Sequence, residues 1–196
     1  MRVKDTGNGD FEQPEPGSYA AICYKLIDIG TQQSEYQGKT IFKRQIVIGW
    51  ELDEKISDGK PFIQANFYTA SLNEKAKLRA HLEAWRGRQF SPEELQGFDL
   101  KNLLGKPCLL SLIKNEKGKI RVQGVSKLPK GMNAPEQTNQ NVYFSLDDFD
   151  RAVFDGLSEG YKKLVMQSPE YGNLANGQTA VAAEAAPAVD GEKVPF

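Results

Sequence analysis

The chain has 196 residues, 39% of them hydrophobic, and a formal net charge of −1, so it is long enough to bury a core of its own. No apolar run approaches the roughly 20 residues that cross a bilayer, and the first residues lack the apolar stretch of a signal peptide. We therefore expect a cytoplasmic protein without membrane contact. With one histidine, His81, and two distant cysteines, Cys23 and Cys108, neither a zinc site nor a disulfide is expected.

The first part of the chain has the alternation of β-strands. After a loose polar arm over 1–17, a strand is predicted over 19–29, where β-branched and aromatic residues are frequent. A polar connection over 30–38 leads to a second strand over 39–52, and a third follows over 61–69. The alternation separates two sets of side chains in the third strand: Ile63, Ala65 and Phe67 on one face, and Phe62, Gln64, Asn66 and Tyr68 on the other.

The hydrophobic period then changes to that of a helix. Leucines and a tryptophan at helical spacing predict a helix from about Asn73 to Trp85, with Gly87 at its end. Ser91 and Pro92 are typical of the first two positions of a helix and predict a second, short one.

Two more strands follow, over 107–114 and 119–127, and the polar turn at 115–118 joins them as a hairpin. Beyond this hairpin lies a loop rich in Pro, Gly and Asn. A weak helix is then predicted over 146–166, broken at its glycines, Gly156 and Gly160.

The order of these elements predicts a mainly β protein built on a five-stranded OB-fold barrel, with a helix between the third and fourth strands. An SH3-like or other small barrel with one helix has a compatible order. The barrel domain is expected over 18–130, a loop and helical extension over 131–172, and a disordered tail over 173–196, where Gly, Ala, Pro and Glu dominate.

The charges are distributed unevenly along the chain. Residues 101–131 carry eight lysines or arginines against a single acidic residue, whereas residues 132–174 carry three basic residues against seven acidic ones. A local basic region in a protein of nearly zero net charge suits a polyanion ligand. The alternative is that the basic hairpin is only a solvated edge that resists aggregation.

The segment over 78–131 resembles the core of phage and prophage single-stranded DNA-binding proteins. In that family a helix ends in a Trp-x-Gly-Arg-like segment, here residues 85–88, and Phe-Asp-Leu-x-x-Leu-Leu-Gly-Lys-Pro-Cys, here 98–108, leads into a basic hairpin. The resemblance extends over roughly 18–130. It implies an OB-fold and sequence-independent binding of single-stranded DNA in replication or recombination, without catalysis, in the host cytoplasm if the protein is phage-encoded.

The last two residues, Pro195 and Phe196, follow an acidic stretch and an Ala-rich linker, an arrangement similar to the tips of bacterial single-stranded DNA-binding proteins. A tethered aromatic ring beside a terminal carboxylate can be captured by a basic pocket on another protein. The resemblance therefore implies that Pro195 and Phe196 recruit replication or recombination proteins. An uninformative, ragged terminus is the alternative.

Two kinds of side chain are expected to bind single-stranded DNA: cations along the phosphates and rings on which bases stack. Phe62 and Tyr68 are the candidate rings, unless they pack under a loop or in the interface of a homo-oligomer, a state that the sequence leaves open. The fifth strand offers the basic residues Lys119, Arg121 and Lys127. Lys43 and Lys114 could extend this strip, and Arg86 and Arg88 could either border the groove or cap the helix.

The motifs of an enzyme or a cofactor site are not evident. Gly38-Lys39-Thr40 resembles the end of a P-loop, but the required preceding glycine is Gln33 and a strand follows instead of a helix. The aspartates over 147–155 lack the spacing of a calcium loop. We therefore expect no catalytic residue, metal or cofactor. The alternative to single-stranded DNA binding is a protein-interaction or assembly barrel, whose binding, unlike that of DNA, should barely respond to salt.

Overall fold

The computed structural model describes residues 12–175, without the side chain of Tyr36. The predicted tip at Pro195 and Phe196 lies outside the described residues, as do most of the predicted arm and tail. The strands are β1 (Gly17–Tyr36), β2 (Lys39–Lys55), β3 (Pro61–Thr69), β4 (Pro107–Lys114), β5 (Ile120–Ser126) and β6 (Val142–Phe144). The helices are α1 (Lys77–Arg86), α2 (Pro92–Gln96), α3 (Arg151–Gly156), α4 (Glu159–Met166) and α5 (Pro169–Ala175), with a 3-10 turn at Leu100–Leu103.

The protein is mainly β, as predicted. The five long strands form one antiparallel sheet in the order β3-β2-β1-β4-β5, and β6 adds to β1 in parallel. The two edge strands, β3 and β5, approach each other to within 8 Å between Cα atoms. No hydrogen-bonded ladder joins them within residues 12–175, so the sheet is strongly curled but is not a closed barrel.

The sequence-based strand limits are confirmed where the boundary depends on a local signal. The strands over 61–69 and 107–114 begin and end as predicted. Ser91 caps α2 through a full capping box, in which the Ser91 hydroxyl accepts from the Glu94 amide and the Glu94 carboxylate accepts from the Ser91 amide.

The predicted connection over 30–38 is wrong, because β1 continues through it to Tyr36. Its polar residues pair with β2, where Gln33 lies opposite Phe42, and only Gln37 and Gly38 form the turn, both with positive φ. Backbone pairing in a hairpin needs no apolar side chains, so composition did not show the strand. Two bulges bend β1. At the second, Gly30 has a φ of 70°, and a Cβ there would meet Ser168 at 2.5 Å.

Helix α1 begins at Lys77, later than the predicted Asn73. The reason is local: the Ser71 hydroxyl and the Asn73 carboxamide accept hydrogen bonds from backbone amides two residues on, which holds the chain in turns. The buried side chains of α1 pack into the inner core formed by the concave side of the sheet, including Trp50, whose ring lies 6.1 Å from that of Trp85.

A second core covers the opposite, outer side of β1 and β2. It contains Ile27, Ile29 and Val47 from the sheet and Phe144 and Phe154 from the C-terminal extension. The weak helix predicted over 146–166 begins later, at Arg151, and its predicted break at Gly156 is confirmed, since α3 ends there. The break predicted at Gly160 is wrong, and α4 is followed by α5, which reaches Ala175. Leucine and serine residues separate α3 from α4, and Gly160 lies inside α4. The short helices are stabilised by packing on the sheet, which their own sequence did not reveal.

Two polar contacts fasten this extension to the sheet. Arg44 on β2 bridges Asp28 on β1 and Asp147 in the extension, with nitrogen–oxygen distances of 2.5 and 2.8 Å. Glu51 is 1% exposed and accepts hydrogen bonds from the Thr138 and Asn139 backbone amides and the Asn139 side chain. In the described part of the chain, no helix is long and apolar enough to cross a membrane.

Candidate nucleic-acid interface

The face of β3 that points outward is the opposite of the predicted one. Directly paired residues of neighbouring strands lie on the same face. Tyr68 is paired with Ile46 of the inner core, whereas Phe67 is paired with Val47, which belongs to the second core on the outer side of the sheet. Tyr68 is therefore 3% exposed, and Phe67 is 47% exposed. The prediction that Tyr68 offers its ring to a base is wrong. Phe62, the second predicted ring, is half-buried against the inner core.

Tyr68 instead forms a hydrogen bond with His81 on α1. The distance from the Tyr68 hydroxyl to His81 Nδ1 is 2.8 Å, and the two rings meet edge to face. Burial, with a smaller contribution from the positive charge of Lys77, lowers the pKa of His81 to about 4. At neutral pH the imidazole is therefore uncharged.

The free energy of unfolding is expected to fall by about 2 kcal/mol as the pH drops from about 6.5 to about 4, because of His81. The pKa of about 4 in the folded state is below the ordinary value of 6.5, so the unfolded chain takes up the proton first. The stabilisation is complete above pH 6.5 and is lost as the pH falls through about 4. Urea unfolding at several pH values should show this loss in the native protein and not in His81→Gln. Parallel losses in both proteins would contradict it.

A groove of about 610 Å³ lies beside the exposed ring of Phe67. It lies between the C-terminal end of β3, the first half of β2 and the segment that precedes α1. Three lysines line it: Lys43, Lys75 and Lys77. None of these three lysines has a carboxylate partner in the described residues. Arg44 also lines the groove, but two aspartates neutralise it. The groove therefore combines three available positive charges with an aromatic wall.

The predicted basic strip on β5 is shorter than expected. Lys119 and Arg121 are exposed, as predicted. A bulge then shifts the register, because Ser111 pairs with Gly124 and the next residue of β4 pairs with Val122, so both Val122 and Val125 point into the core. Beyond the bulge, the residues that face outward are the opposite of those that simple alternation predicts. Lys127 therefore does not lie in line with Lys119 and Arg121.

The groove extends towards this strip. Lys77 Nζ lies 3.5 Å from the carbonyl oxygen of Val122, the residue that follows Arg121 in β5. Lys43 lines the groove, whereas Arg121 precedes the residue that Lys77 contacts and does not itself line the groove. Lys114 is exposed at the tip of the β4–β5 hairpin, where Gln13 and Pro14, from the end of the predicted arm, lie against it.

Arg86 and Arg88 lie at the other end of α1, away from the groove. Both pair with Glu94, and the Arg86 guanidinium lies 4.4 Å from the ring of Phe90 and 5.0 Å from that of Phe98, two rings that meet each other edge to face. The hydrogen bond from Arg88 is the main reason that the pKa of Glu94 is lowered to about 2. The predicted role of these arginines at the border of the groove is not supported by their position.

Phe67, Lys75 and Lys77 are the groove residues that sequence reasoning missed. The alternation of β3 predicts that Phe67 points inward, because it shares a face with Ile63 and Ala65. The signal that was missed is the pairing with β2. Tyr68 is opposite Ile46 and Asn66 is opposite Ile48, so both face the inner core and Phe67 between them faces outward. Lys75 and Lys77 lie outside the basic region over 101–131 and were not expected to belong to the site.

No protein-family model, curated protein or solved structure matches this chain. No cluster of His, Cys, Asp or Glu that could hold a metal ion occurs in the part of the chain that the structure describes. The chemistry of the groove itself therefore carries the functional argument.

Proposed function

We propose that this protein binds single-stranded DNA without sequence preference, through the groove lined by Lys43, Phe67, Lys75 and Lys77. The observation that carries the proposal is the exposed Phe67 ring beside three lysines that lack carboxylate partners in the described residues. Phosphates contact the lysines and a base stacks on the ring. Stacking tolerates every base, because every base has a flat apolar face.

The strand order supports an OB-type barrel as the scaffold. Strands β1, β2 and β3 form a meander, β4 returns to β1, and β5 approaches β3 on the far side of the curled sheet, with α1 between β3 and β4 in sequence. In such a barrel the groove over β2 and β3 is a common place for an oligonucleotide. Beyond the groove, the sugar–phosphate backbone of the DNA continues along Lys119 and Arg121.

The proposal includes a role in phage-type replication or recombination in the cytoplasm, without enzymatic activity. Recruitment of partner proteins through Pro195 and Phe196 is also part of it and depends on the sequence alone. The docked extension is acidic and lies on the same outer side of the sheet as Phe67, whose ring is 6.5 Å from that of Tyr161 in α4, so the basic groove borders an acidic surface.

Fluorescence anisotropy of a labelled oligo-dT, measured over a series of salt concentrations with duplex DNA as competitor, tests this function. Tight binding that weakens with salt and is insensitive to duplex DNA is the expected result. Absence of binding at low salt would contradict it and favour the protein-interaction barrel, because the groove would then be only a solvated surface.

Phe67→Ala is expected to weaken oligo-dT binding by about tenfold to a hundredfold, since one stacked base contributes roughly 1–3 kcal/mol. The free energy of unfolding should fall by only about 1 kcal/mol, because the ring is 47% exposed and its buried part packs against Tyr161. Ile63→Ala is the matched control, since Ile63 lies on the same face of β3, is 43% exposed and does not line the groove. Equal losses of affinity in both variants would show that Phe67 does not stack.

A further inference from the structure

A second cavity, of about 460 Å³, opens at the C-terminal end of α1. Its volume lies within the range of roughly 300–1,000 Å³ found for small-molecule sites. Trp85, Phe98 and Leu103 supply apolar walls, and Lys106 and Lys127 lie at its border. The ten residues of α1 separate it from the groove by about 15 Å.

The cavity has an excess of positive charge. Glu94 is its only acidic lining residue, and it is shared by Arg86 and Arg88. Lys106 and Lys127 have no carboxylate partner within residues 12–175. Four basic residues therefore face one carboxylate, which suits an anion that carries more than one charge.

One hydrogen-bond donor in this cavity lacks an acceptor. Arg86 Nη1 is buried and has no partner among the described residues, although the guanidinium as a whole is paired with Glu94. A buried guanidinium nitrogen without an acceptor is costly. This nitrogen is closed off from the cavity surface, so a bound anion contacts the exposed basic residues Arg88, Lys106 and Lys127 instead. The apolar walls next to it favour an anion that is attached to a flat, apolar group.

We propose that this cavity binds a nucleotide through its phosphomonoester, with the base against the apolar wall at Phe98. A phosphomonoester carries about 1.5–2 negative charges at neutral pH, whereas each phosphate inside a DNA strand carries one, so the four basic residues favour the former. The ligand is a free nucleotide or the phosphorylated end of a strand. The choice of nucleotide chemistry rests on the proposed function, but the cavity is separate from the groove.

Isothermal titration calorimetry of the full chain with dTMP and with thymidine tests the phosphate requirement. dTMP should bind, and thymidine should bind at least about tenfold more weakly, as expected for the loss of a charge-assisted hydrogen bond. Lys106→Glu should weaken dTMP binding by a similar factor. Lys117→Glu, in the exposed turn between β4 and β5, is the control for the change of charge and should bind dTMP as the native chain does. Equal binding of thymidine, or unchanged dTMP binding by Lys106→Glu, would overturn the proposal.

Oligo-dT with either a phosphate or a hydroxyl at its ends distinguishes the two sources of the ligand. If the phosphorylated oligonucleotide binds more tightly and Lys106→Glu removes the difference, the cavity accepts strand ends. If dTMP binds and the ends make no difference, it accepts free nucleotides. A chain that binds oligo-dT but not dTMP contradicts this inference alone, whereas one that binds dTMP but no oligo-dT contradicts the proposed function and leaves the cavity as a nucleotide site.

Discussion

Replacing Lys43, Lys75 and Lys77 together with glutamate is expected to lower the affinity for oligo-dT by about a hundredfold or more at low salt. Each charge-assisted contact with a phosphate contributes about 1 kcal/mol or more, and the three introduced carboxylates add repulsion. The salt dependence should change as well. Each contact with a single strand contributes about 0.7 to the slope of log K against log salt, so the slope should become shallower by about 2.

The fold should tolerate this triple variant. All three lysines are exposed, and two of them lie just before or at the start of α1, where a negative charge interacts favourably with the helix dipole. The control is the triple glutamate variant of Lys55, Lys130 and Lys163, which are exposed lysines outside the groove. Equal losses in both triple variants would mean that the protein attracts DNA through its overall charge and not through the groove.

Glu51→Ala is expected to lower the free energy of unfolding by about 3 kcal/mol or more. The carboxylate is buried between the sheet and the loop before β6, where three N–H groups of Thr138 and Asn139 donate to it. Removing it leaves three partly buried donors without an acceptor, and each such donor costs about 1–3 kcal/mol unless water reaches it. Urea unfolding measures the change, and hydrogen exchange of the Thr138 and Asn139 amides shows whether the loop is released.

Asp53→Ala is the matched control for this variant, because Asp53 lies two residues further along β2 and is exposed. It should change the free energy of unfolding by no more than about 0.5 kcal/mol. Similar effects of the two substitutions would contradict the anchoring role of Glu51. Because the groove lies on another part of the sheet, Glu51→Ala protein that remains folded should bind oligo-dT as the native protein does.

Local signals in the sequence were sufficient for much of the secondary structure. Ser91 and Pro92 begin α2 because a side-chain acceptor and a fixed φ act within one helical turn. The strand over 61–69 and the β4–β5 hairpin followed from alternation and turn residues in the same way. The full length of β1 could not be predicted in this way. Its polar end, over 30–36, is a strand because it pairs with β2 and not because of its own composition.

The sequence by itself determined the mainly β class, the order of the strands, the position of α1 between β3 and β4, and the excess of basic residues near the hairpin. The tertiary structure decided which face of β3 points outward, because the partner strand sets the orientation of Tyr68 and Phe67. It also decided which cations converge, since Lys43 and Lys77 come from segments distant in the chain. The docking of the extension was likewise a tertiary outcome: its helices are too short to be stable alone and form against the apolar outer face of β1 and β2.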